Sequence, residues 1–233
     1  MLDDKGLAPV HYATRRSDLK LLKFLVSKNA DLNLYSKEGK TALHYAVESG
    51  DVSVINYLMT YVTFQPHYKL TPSRGADHTL QDHLGRSILH YAVTCERLLV
   101  FNYVLHDGRA DPNVRDRAGQ TPMHYIAKMT ERCTMYIEAM FNLAPKVDIF
   151  AQDAQGLTAL HIAAEWGNNQ IIRRLLEHDL RLFSVKSHDN KTAQDHAKDK
   201  PLAYQYLLYY GQVAKMPGPM VHQNMFDLLL TRN

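Results

Sequence analysis

The chain has 233 residues, a hydrophobic fraction of 45% and a formal net charge of +3. That apolar content supports a packed core and excludes general disorder, while the small charge argues against nucleic acid as a direct ligand, which asks for a dense basic face. No basic-then-apolar signal pattern opens the chain and no apolar run is long enough to span a bilayer, so membrane insertion is not expected.

Helical periodicity sets in at once. A first short helix is expected from about Ala8 to Arg15, and a second carries Leu19, Leu21, Leu22, Phe24, Leu25 and Val26 at helical spacing. Asn29, which tolerates the left-handed conformation, ends it and leads into Ala30-Asp31-Leu32-Asn33. The next pair runs from Thr41 to Ser49, breaks at Gly50, and continues with Val52, Val54, Ile55, Tyr57, Leu58 and Met59. Residues 63–81, with Pro66, Pro72, Ser73, Arg74, Gly75 and Asp77, read as an inserted loop, which Phe64 and Tyr68 are expected to pin onto the body. A third pair comprises a helix near Ser87 to Thr94 and one with Leu98, Val100, Phe101, Tyr103, Val104 and Leu105. In the fourth, the second helix spans Cys133 to Leu143, about a turn longer than its neighbours, and Pro145 stops it. A fifth pair occupies 153–186. A degenerate sixth, 187–211, has its second helix from Leu202 to Tyr210, ended by Gly211. A tail, 212–233, holds Pro217-Gly218-Pro219 and the apolar Met225-Phe226-Asp227-Leu228-Leu229-Leu230.

One string recurs in these pairs. Gly156-Leu157-Thr158-Ala159-Leu160-His161-Ile162-Ala163-Ala164-Glu165-Trp166-Gly167 is its fullest copy. Weaker copies begin at Gly6, Gly39, Gly85 and Gly119. Their histidines, His11, His44, His90, His124 and His161, lie 33, 46, 34 and 37 residues apart. A period near 33 carrying T-P-L-H-x-A is the mark of ankyrin repeats, and the chain resembles that superfamily from residue 3 to about 211. The resemblance implies an all-α solenoid of helix-turn-helix pairs with β-hairpin fingers. Its units lie near 3–35, 36–62, 82–115, 116–152 and 153–186, with a cap at 187–211. The 46-residue step places an insertion inside the array, where such loops often face a partner.

Each residue type in the string has a mechanical task. Glycine accepts positive φ in the finger turn. Thr41, Ser87, Thr121, Thr158 and Thr192 can cap the first helix, and Pro122 suits its first turn. The resemblance implies that the histidine bridges this hydroxyl to the backbone of the next repeat. The five histidines are therefore read as scaffolding, and Tyr12, Tyr45, Tyr91 and Tyr125, which follow four of them, as inter-repeat packing. His67, His78 and His83 with Asp77 and Asp82 match no zinc-ligand spacing. No P-loop, G-x-G-x-x-G or H-E-x-x-H occurs, so neither catalysis nor a cofactor is expected. Cys95 and Cys133, outside any C-x-x-C pattern, fit free thiols in a reducing compartment, cytoplasmic or nuclear.

The resemblance implies a monomeric, non-catalytic array that binds a partner protein along its concave groove and inserted loop. The groove places that follow from the repeat pattern include Arg15, Arg16, Lys40, Glu48, His83, Arg86, Arg117, Gln120, Lys128, Met129, Glu165 and Trp166. Cations outnumber carboxylates there, and such a mildly basic surface is either a groove suited to an acidic or phosphorylated segment or an ordinary solvated face. Trp166, the sole tryptophan, is either an interface anchor or packs on the cap or the Met129 helix. Two narrower roles stay open. One is regulation of a transcription factor, since an array interrupted midway and closed by an atypical unit is similar to the IκB group. The other is service as the recognition arm of a larger enzyme or ubiquitin-ligase assembly.

Overall fold

The structure, a computed structural model, describes residues 2–60 and 75–214. Its helices are α1 (Pro9–Arg15), α2 (Leu19–Ser27), α3 (Ala42–Ser49), α4 (Val52–Thr60), α5 (Ile88–Thr94), α6 (Leu98–Asp107), α7 (Pro122–Ala127), α8 (Cys133–Leu143), α9 (Ala159–Trp166), α10 (Asn169–His178), α11 (Ala193–His196) and α12 (Pro201–Val213). Odd-numbered helices stack in one row, each on the next, and even-numbered helices from α4 onward stack in a second. The interior is the seam between the rows. Ala13, Leu43, Ala46, Leu89, Ala92, Ala127, Leu160 and Ala163 of the first row meet Leu22, Ile55, Leu58, Phe101, Ile137 and Leu175 of the second, all fully buried. Alanine at these places lets helix axes approach closely, and no single pair buries its apolar face alone.

Between pairs the chain folds into hairpin fingers. Each is closed by one backbone bond, such as Asp82 N to Arg86 O (3.0 Å), Asp116 N to Gln120 O (2.9 Å) and Asp153 N to Leu157 O (2.9 Å). The finger glycines have φ between +71° and +78°. The amide of the following finger lies where a side chain would go, 2.5 Å from an ideal Cβ at Gly156 and 2.7 Å at Gly85. Asn29 and Asn190 take φ of +63° and +60°, the left-handed role that asparagine fills best after glycine.

The first finger residue shapes each hairpin. Asp82 Oδ1 accepts from the amides of Leu84 and Arg86, both 2.8 Å, and Asp3, Asp116 and Asp153 do the same two and four residues on. The second carboxylate oxygen takes the tyrosine hydroxyl nine residues later: Tyr91 to Asp82 and Tyr125 to Asp116, both 2.8 Å.

Three expectations change. Gly75 to Gln81, assigned to the inserted loop, belongs to the array. Asp77 Oδ1 accepts from Thr79 N at 2.8 Å, as Asp31 does from Asn33 and Asp111 from Asn113. Asp77 N donates to Asn33 Oδ1 (2.8 Å), and Asp148 N likewise to Asn113 Oδ1 (2.7 Å). Gly75-Ala76-Asp77 is thus the exit turn of the second unit, and the insertion lies before it, within that unit. Phe64, His67 and Tyr68 lie outside the described residues. Gly211 does not end α12, which runs to Val213; a Cβ there would meet the Phe183 ring at 2.6 Å, so the missing side chain makes room for that ring. Helix α8, at 11 residues, exceeds α6 and α10 by a single residue each, well short of a turn.

Candidate partner-binding surface

The five repeating histidines do not converge. They lie in a row, one per unit, and four of them make the same contacts. Nδ1 of His44, His90, His124 and His161 accepts the backbone N–H of the preceding Thr or Ser at 3.0–3.2 Å and meets its hydroxyl at 2.8–3.0 Å. His11 accepts the amide of Ala8 at 2.9 Å. Nε2 of His44, His90, His124 and His161 faces a carbonyl of the next unit, Arg86, Gln120, Leu157 and Lys191, at 3.0–3.2 Å, whereas Nε2 of His11 faces Leu34 O at the end of its own unit at 2.9 Å. A carbonyl only accepts and a backbone N–H only donates, so the proton sits on Nε2 in all five rings. The edges of three of these rings pack on the next tyrosine, His90 on Tyr125 at 4.9 Å between centroids. Burial pushes all five imidazoles below their ordinary range, His44 to about 4. They are neutral struts. In the sixth unit Asp195 takes over the cap, accepting from Thr192 N (3.0 Å) and its hydroxyl (2.9 Å). Asp82 and Asp77 are likewise engaged in turns, and among the described residues no group of three or more His, Cys, Asp or Glu could hold a metal ion.

The groove places divide into two kinds. Some are occupied within the chain. Lys40, with only 14% of its side chain exposed, pairs with Glu48 (2.7 Å) and Glu38 (2.9 Å) and lies over the rings of Tyr45 and Tyr91. Arg86 pairs with the buried Asp82 at 2.7 Å, donates to Tyr91 Oη at 2.8 Å and covers the Tyr91 ring. Burial raises the Asp82 carboxyl, but the bonds from Arg86 and Tyr91 bring it net below its ordinary range. Gln120 links Lys128 Nζ (2.7 Å) to Asp153 (3.2 Å). The other places are open. Arg15, Arg16, His83, Arg117, Glu165 and Trp166 are exposed, with Trp166 at 54%. Among the described residues, the side chains of Arg15, Arg16, Arg117 and Glu165 have no hydrogen-bond or ion-pair partner. Met129, half-buried, packs on the core.

Sequence reasoning counted cations without asking which were already paired. A signal was available in the Asp-x-x-Gly-Arg run, Asp82 to Arg86, and in Lys40 with Glu48 eight residues on. The tyrosine-to-aspartate tie was also missed, although its nine-residue spacing recurs.

A family model described as "Ankyrin repeats (3 copies)" matches residues 1–69 and 133–215, and one described as "Ankyrin repeat" matches 84–117. Among curated proteins, L-asparaginase of Dirofilaria immitis is 28% identical over 188 residues, 80% of this chain and 28% of that protein. Palmitoyltransferase AKR1 of Lachancea kluyveri is 25% identical over 176 residues, 75% of this chain and 18% of that protein. Interferon antagonist OPG039 of Monkeypox virus is 37% identical over 59 residues, 25% of this chain and 21% of that protein. The chain thus spans less than a third of the length of these relatives. A chain in the complex titled "Bd0816 Predatory Endopeptidase from Bdellovibrio bacteriovorus in complex with immunity protein Bd3460" superposes with a TM-score of 0.67 at 22% identity. The match covers 87% of this chain and 98% of that one, a likeness of fold.

Proposed function

The chain belongs to the ankyrin-repeat superfamily, and from that membership we propose that it holds a partner protein along its concave groove. Arrays of this family are generally non-catalytic protein-interaction modules. The observation that carries the groove reading is the division just described. The repeating histidines are spent on scaffolding, while Arg15, Arg16, Arg117, Glu165 and Trp166 stay exposed. Open cations favour an acidic or phosphorylated segment, and the insertion within the second unit adds a second contact. The free thiols of Cys95 and Cys133 suit a reducing compartment, cytoplasmic or nuclear. No helix among the described residues is long and apolar enough to cross a membrane.

A second reading, that the array is the recognition arm of a larger enzyme or ubiquitin-ligase assembly, draws support from the relatives. Two that match most of this chain are enzymes by name and several times its length. Regulation of a transcription factor is a narrower form of the same groove binding.

Affinity capture with mass spectrometry tests the groove reading. A partner retained by the wild type is expected to be lost with Arg15→Glu, Arg16→Glu and Trp166→Ala combined, at unchanged melting temperature. Equal retention by both would refute it. The same capture with residues 63–74 deleted weighs the loop.

A further inference from the structure

The ends of the first-row helices grow more apolar along the array. The equivalent places are Arg16, Ser49, Cys95, Met129 and Trp166 in units one to five. Only units four and five put a large apolar side chain there, and Trp166 is more than half exposed. An exposed indole is a costly surface feature and the side chain most often found at the centre of protein interfaces.

The same two units hold a cation in an uncommon state. Elsewhere in the groove Lys40 meets two carboxylates and Arg86 meets one. Lys128 is half-buried over the Tyr125 ring, 5.4 Å from Nζ to its centre, and among the described residues its ammonium donates only to the neutral amide of Gln120. Among the described residues no carboxylate pairs with it. Arg117, on the finger of the same unit, is exposed and also lacks a carboxylate partner.

The patch is held rigid. Asn168, in the turn after Trp166, donates to the carbonyls of Met129 (2.7 Å) and Ala127 (3.4 Å), and its own oxygen accepts from Ile171 N (3.2 Å). The end of α7, with Lys128 and Met129, is thereby tied to the end of α9, with Trp166. A surface fixed before binding loses little entropy when occupied.

We propose that units four and five bind an extended segment of a partner protein through a carboxylate on Lys128 and Arg117 and a nearby apolar side chain on Trp166 and Met129. The inference rests on the groove reading and places the contact within it. An ammonium that no carboxylate of the described residues pairs with gains a charge-assisted bond from such a carboxylate, and the exposed indole supplies apolar area at little entropic cost.

The test uses the whole chain and synthetic twelve-residue peptides on an array. Each carries one Glu and one Leu one to four residues apart, against sets with Lys for Glu or Ser for Leu. Glu-and-Leu peptides are expected to be retained and, in solution, to shift the emission of Trp166, the sole tryptophan. Lys128→Glu is expected to weaken them about tenfold and to turn the preference toward Lys-bearing peptides, as charge complementarity requires. Trp166→Ala is expected to weaken both sets about tenfold. No retention, or wild-type preference for the Lys set, overturns the proposal. Retention lost with Arg15→Glu and Arg16→Glu but kept with Lys128→Glu overturns it while the groove reading stands. Retention indifferent to all four substitutions overturns both.

Discussion

Mild acid should loosen the array, and the histidine row sets how much. His44 is fully buried, with Nε2 donating to Arg86 O and Nδ1 accepting from Thr41. Burial, the dominant cause, pushes it from an ordinary 6.5 to about 4. A proton added to Nδ1 would also face a backbone N–H that can only donate. The unfolded chain takes up this proton near pH 6.5 and the folded chain refuses it until about 4. Stability is therefore intact above 6.5 and is lost as the pH falls through that window. The full difference for His44 is about 3 kcal/mol, of which about 2 kcal/mol is already lost at pH 5. For a chain of this length that corresponds to a fall of about 4–8 °C in melting temperature. His11, His90, His124 and His161 shift in the same direction and add to it. Asp82, with its carboxyl net below the ordinary range, weakens the fold only below about pH 4, a separate window. The assay is thermal unfolding by circular dichroism from pH 7.5 to 5 at constant ionic strength, for the wild type and His44→Gln. The variant should be less stable at pH 7.5 but flatter across the range. A wild-type melting temperature that does not move, or a His44→Gln slope as steep as the wild type's, would refute the reasoning.

Four further outcomes follow from the packing. Gly156→Ala forces a Cβ to 2.5 Å from the His188 amide at φ +76°, so a loss of about 1–3 kcal/mol is expected from denaturant titration. Tyr91→Phe removes one donor from the buried Asp82, which should cost about 1–2 kcal/mol by the same measurement. Arg86→Glu should destabilise by more than about 2 kcal/mol, because it leaves Asp82 facing a like charge, whereas Arg117→Glu, at an open finger place, should stay within about 0.5 kcal/mol. Gly211→Ala should lower the melting temperature by displacing Phe183 from α12.

Much of this fold was legible in the sequence because stacking demands the same few residues in every unit. Gly39, Thr41, His44 and Ala46 each answer a local steric or hydrogen-bond requirement, so their repetition betrays the architecture. The exit of the second unit was harder to see. Gly75-Ala76-Asp77 repeats the turn at Ala30-Asp31 and Ala110-Asp111, but the insertion before it hid the register. Gly211 misled for a different reason. Glycine usually ends a helix through its backbone freedom, whereas here the space it leaves for Phe183 decides, and that is a fact of tertiary packing.

The surface was legible only in outline, and the physical reason separates scaffold from function. Repeat spacing tells which places face the groove but not whether a charge there is already spent. Lys40, Arg86, Arg117 and Lys128 look alike in sequence, yet the first two are neutralised at 2.7–2.9 Å by Glu38, Glu48 and Asp82. Their removal weakens the protein that displays the groove, so a binding defect in such a variant says little about contact. Arg117 and Lys128 carry charge that no carboxylate of the described residues pairs with, and among the described residues Trp166 keeps more than half of its surface exposed. On the proposed reading, each of the three is completed by a partner segment lying along the groove.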